Sequence, residues 1–89
     1  MADQQGYDPR LPLRDVIASL LRLTLPDAPK PLIERLADEA LTSNRYIAPY
    51  ADARWGDLSE SAGDLVAQEV GLIAREASQR MVQGGGTPR

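Results

Sequence analysis

The sequence predicts an all-α fold, a small bundle of three main helices, and three observations predict it. Apolar residues recur at helical spacing in three separate stretches. Proline cuts the chain between these stretches and is missing from the longest of them, residues 58–82. No stretch alternates apolar and polar residues for long enough to build a sheet. The helices are expected near 11–25, 31–43 and 58–82, with a short extra helical turn near 49–55. A chain of 89 residues makes one domain, here 11–82, between a flexible N-terminal arm (1–10) and a disordered tail (83–89).

In the first predicted helix, Leu13, Val16, Ile17, Leu20 and Leu21 share one face, and Leu23 and Leu25 widen it. Pro12 suits the first turn, where its missing N–H costs nothing, and Pro26 stops the helix. Arg14, Asp15, Ser19 and Arg22 fall mostly on the other side. The connection 26–31 (PDAPKP) is stiffened by proline, and Asp27 or Lys30 is expected to precede the second helix, with Pro31 as its first residue. Leu32, Ile33, Leu36, Ala37, Ala40 and Leu41 give that helix its apolar stripe, and Asn44 is a plausible stop signal. In the third, Asp57 and Glu60 have capping-box spacing. Acidic Glu60 and Asp64 come early and Arg75 and Arg80 late, an order that complements the helix dipole. Glu76 and Arg80 form a favourable i, i+4 pair.

Wound at 100° per residue, the third helix has two apolar surfaces. Val66, Val70, Ile73, Ala77 and Met81, with Gly63, Ala67 and Ala74 beside them, are assigned to the core. Leu58, Leu65 and Leu72, spaced by seven, form a second line flanked by Glu69 and Glu76. That line is either covered by the chain's own helices or is a self-association surface.

Composition removes several chemistries. There is no cysteine and no histidine, so disulfides, thiolate metal sites, a cysteine nucleophile and the commonest general base and zinc ligand are all excluded. The absence of disulfide staples leans towards a reducing, cytoplasmic location. No apolar run reaches the roughly 18 residues a membrane helix needs, and the N-terminus lacks the pattern of a signal peptide. A formal net charge of −3 gives no general attraction to nucleic acid or to an anionic membrane. Gly84–Gly86 is not followed by a helix and so does not make a phosphate loop. Asp52, Asp57, Glu60 and Asp64 lack the spacing of a calcium loop. Ser59 and Ser61 have no histidine to activate them, and Lys30 lies in a distant loop. No metal, cofactor or catalytic residue is therefore expected. The first two helices do not match a helix-turn-helix either, because their connection is long and Glu34, Asp38 and Glu39 outweigh Arg35 on the second.

The remaining candidate site is residues 44–57, which hold Tyr46, Tyr50 and Trp55, three of the four aromatic residues, with Arg45 and Arg54 beside them. Aromatics and arginine commonly anchor interfaces. Tyr46, Tyr50, Arg54 and Trp55 are thus candidate partner-binding residues, unless the rings simply cap an aliphatic core. Leu58, Leu65 and Leu72 are the candidate self-association residues. The expected function is a non-catalytic interaction or assembly module that binds another protein or a second copy of itself, with no membrane partner. The alternative is a small nucleic-acid-associated regulator.

Overall fold

The computed structural model describes residues 7–86, with side chains as far as Met81. It is an all-α bundle of three helices: α1 (Leu13–Thr24), α2 (Lys30–Ser43) and α3 (Glu60–Gly86). Among the described residues no helix is long and apolar enough to cross a membrane. The Arg14 guanidinium pairs with the Asp38 carboxylate, Asn44 bonds Glu69, and Thr24 and Leu25 lie beside Ser78 and Met81. The direction therefore runs up, down, up, with α2 antiparallel to both neighbours.

Spacing explains what is buried. α1 buries Leu13, Val16, Ile17 and Leu21, and α2 buries Ile33, Leu36, Ala37 and Ala40. α3 contributes Ala62, Val66, Val70, Ala74 and Ala77, a narrow ridge of mostly small residues. Small side chains let α3 lie close to α1. α1 packs extensively against both other helices, whereas α2 and α3 meet each other only sparingly. No polar or charged residue is buried among the described residues. The core is thus held by apolar burial at about 25 cal/mol per Å² rather than by internal ion pairs.

The helix ends differ from the expected ones for local reasons. Pro12 is the cap of α1 rather than part of its first turn; its extended backbone instead bridges Arg54. Pro29, not Asp27 or Lys30, precedes α2: its backbone is extended (φ -68°, ψ 153°), Lys30 is already the first helical residue, and Pro31 sits in the first turn, where its missing N–H costs nothing. Asn44 does end α2, but with extended backbone and through its side chain: Oδ1 accepts the Tyr46 and Ile47 N–H groups at 2.8 and 3.1 Å. Asp57 and Glu60 do not cap α3. Ser59 does so, its Oγ accepting the Ala62 N–H at 3.1 Å, while Asp57 accepts the Arg54 N–H at 3.2 Å inside a separate 3-10 turn, Trp55–Asp57. The expected turn at 49–55 is split into that one and Ala48–Tyr50. Helical backbone continues to Gly86, past the expected end at Val82, since extending an existing helix needs no new nucleus. Of the tail expected over 83–89, residues 87–89 lie outside the described residues. On the core face Leu23 is exposed, and so is Met81.

Of the arm expected over 1–10, residues 1–6 lie outside the described residues, while Tyr7 and Pro9 lie against residues 53–56. Tyr7 packs edge-on against Trp55, with ring centroids 6.2 Å apart and planes at 78°. The backbone of 9–13 is laced to that of 53–56. Leu13 N–H donates to Ala53 O at 3.0 Å, Trp55 N–H to Leu11 O at 2.8 Å and Gly56 N–H to Pro9 O at 2.8 Å. Gly56 is required by this approach: a Cβ there would lie 2.5 Å from Pro9 Cβ and 2.9 Å from Pro9 O.

Candidate functional site

The aromatic segment does not form one exposed surface. Trp55 is only 3% exposed and belongs to the core, so it cannot anchor a partner on the surface. Its Nε1–H finds no acceptor among the described residues. Tyr50 is half-buried and packs against the core. Tyr46 and Arg54 are exposed, and the Tyr46 ring is faced by the neighbouring Arg45 guanidinium, 5.5 Å from its centroid. The rings therefore have different jobs, and Trp55 closes the end of the bundle, the service large rings perform for a small core.

The leucine line is divided in the same way. Leu58 lies just before α3 and is buried at 7% exposure, which removes it from any outward surface. Leu65 is half-buried. Leu72 is 44% exposed and is the one fully outward member. On the helix surface Glu69 and Glu76 sit at i−3 and i+4 from Leu72, so Leu72 flanks the side of α3 that faces α2.

That side is an open groove. Because α2 and α3 meet sparingly, a furrow runs between them, with half-buried Ile73 along it and the buried residues Leu36, Ala40 and Ala77 at its base. Leu32 continues the furrow at one end. The other end is closed by the Asn44 side-chain amide, whose Nδ2 donates to Glu69 Oε1 at 3.0 Å. Asn44 thus does two things, ending α2 with its oxygen and tying α3 with its nitrogen. The walls carry Arg35, Glu39, Glu76 and Arg80, all exposed. Within the described residues, ion pairs join Arg10 to Asp8 and Arg14 to Asp38, and none joins these four to one another.

Neither Asn44–Glu69 nor the groove was legible as a site in the sequence. Leu36, Ala40, Ile73 and Ala77 read as core, and the charges beside them as a solvated face. One signal was present: α2 has Arg before Glu at i, i+4 and α3 has Glu before Arg, so antiparallel packing aligns like with like.

The chemistry this groove offers is that of contact. It has an apolar floor and charged walls, and its Ser43 hydroxyl is exposed. Among the described residues no three acidic side chains gather as a metal site would require. No protein-family model matches the chain, and comparison with curated proteins and with solved structures gives no significant match.

Proposed function

We propose that the chain is a non-catalytic protein-interaction module whose docking surface is the α2–α3 groove. One observation carries this reading: a furrow lies between two helices that pack well on α1 and poorly on each other, with half-buried Leu32 and Ile73 along it and exposed Arg35, Glu39, Glu76 and Arg80 as its walls. Half-buried apolar side chains set between exposed charges of both signs give a partner something to cover and something to orient on. A helix lying in a groove buries such side chains while the wall charges set its orientation. Glu39, Glu69 and Glu76 outnumber Arg35 and Arg80 along the groove, and the mixed signs suit a protein partner better than a phosphate backbone.

The experiment is site-specific photo-cross-linking in the native cells. A photoreactive residue in place of Ser43, on the groove, is expected to give adducts of discrete mass. The same residue in place of exposed Asp15 on α1 is expected to give none. Leu72→Glu should weaken the Ser43 adducts. Adducts of equal strength from both positions, or none from Ser43, would contradict the reading.

A further inference from the structure

We infer that the occupant of the α2–α3 groove is a second copy of this chain, docked groove to groove about a two-fold axis. This rests on the groove being a docking surface, and it follows from the order of charges along it. α2 runs from Arg35 to Glu39 and antiparallel α3 from Glu76 to Arg80. Asn44 is bonded to Glu69, while Leu32 and Arg35 lie beside Ala77 and Arg80. Arg35 and Arg80 therefore share one end of the groove, and Glu39 and Glu76 follow them towards the Asn44 end. Two sequences written in opposite order become one polar strip, basic then acidic.

Such a strip is its own complement when reversed. A two-fold axis across the groove lays the arginine pair of one copy over the glutamate pair of the other, and the same contact is repeated at the other end. The change of sign falls beside Leu36, which lines the groove on both sides of it. Leu36 is also at the middle of α2, which spans Lys30–Ser43, so the axis overlaps the two α2 helices along their whole length. Half-buried Leu32 and Ile73 are then covered, and none of the four charges has to break an ion pair within the described residues.

Area sets the strength. α2 has 14 residues, about 21 Å of helix, and packed helices lie about 8–10 Å apart. The two-helix face is thus roughly 400 Å² per copy, about half of what a standard interface uses. The dimer is accordingly weak, on the order of micromolar or weaker, and loosens as salt screens its exposed pairs.

The test is analytical ultracentrifugation of the full chain and two charge-reversed variants, Arg35→Glu/Arg80→Glu and Glu39→Arg/Glu76→Arg. All four positions are exposed, and circular dichroism checks that the helices remain; Arg35→Gln/Arg80→Gln and Glu39→Gln/Glu76→Gln serve if a reversal unfolds. The wild type should dimerise reversibly. Each reversal alone should weaken the dimer by about tenfold or more, because like charges then face each other. Mixing the two reversed variants should restore a one-to-one dimer at least as tight as the wild type. For the neutralised pairs, both variants should weaken the dimer and lose its salt dependence. A wild type that stays monomeric at every concentration, a dimer indifferent to the changes, or a reversed mixture that remains monomeric overturns the inference. If the wild type is monomeric while Ser43 still cross-links to a different protein, the docking surface stands and only its occupant is wrong.

Discussion

Trp55 and Ile73 stand for two regions that the sequence ranks in the opposite order from the structure. Around Trp55 the chain gathers a ring partner, backbone hydrogen bonds from two strands of loop, and a glycine fitted against Pro9. Around Ile73 it has a half-buried aliphatic side chain on a furrow walled by ordinary charges. The aromatic end is rich in anchoring residue types and is closed. The groove is plain in composition, and its walls and half-buried Ile73 still reach the surface. Residue type reports what a side chain is able to contact; whether its own chain has already made that contact depends on packing, and a core without phenylalanine has few other large groups with which to close an end.

The sharpest way to break this comparison is Trp55→Ala. If Trp55 closes the core, truncation should cost about 3–5 kcal/mol in denaturant unfolding. A loss below about 0.5 kcal/mol would return Trp55 to the surface. Trp55→Phe should cost much less, because it keeps an aromatic ring in the site and gives up no hydrogen bond. Next comes Gly56→Ala, expected to cost about 1–3 kcal/mol because the new methyl meets Pro9 backbone and ring rather than a flexible tip. The effect should vanish when residues 1–10 are deleted, which a thermal melt of both forms would show.

Asn44→Ala probes the groove side. It removes the α2 stop and the tie to Glu69, and about 1–2 kcal/mol of stability should go with them. Amide exchange should then quicken around residues 44–47 and 69 while the Trp55 corner stays protected. The smallest effect belongs to Asp8. The Arg10 backbone N–H, then its side chain, hold the Asp8 carboxyl below the ordinary carboxylate range. Its folded pKa is depressed, so its contribution is complete above the ordinary aspartate value and is lost as pH falls through the lower folded value. A carboxyl NMR titration should place the Asp8 midpoint below that of an unfolded-chain aspartate, with only a slight change in stability because the turn is exposed.

Much of the fold was legible because it is local. The stripe Leu13, Val16, Ile17, Leu21 and the stripe Ile33, Leu36, Ala37, Ala40 fix two helices and their inner faces without reference to anything distant. Helix ends were less so, since Asp57 and Ser59 are both good caps and only the path of the preceding turn selects Ser59. The candidate site was least legible. The setting of Trp55 depends on residues far away in sequence, Leu11 and Tyr7 among them, and spacing within one helix carries no information about them. The groove was hidden for the complementary reason: it is defined by a contact that α2 and α3 largely fail to make.

The proposed working surface is the groove, with the aromatic end as scaffold. The most direct measurement is a dilution series followed by backbone amide chemical shifts of the full chain. Concentration-dependent shifts should cluster at Leu36, Glu39, Ile73, Glu76 and Arg80, with Tyr7, Trp55 and Gly56 unmoved. Shifts centred on Tyr46, Tyr50 and Arg54, with the groove silent, would contradict the account.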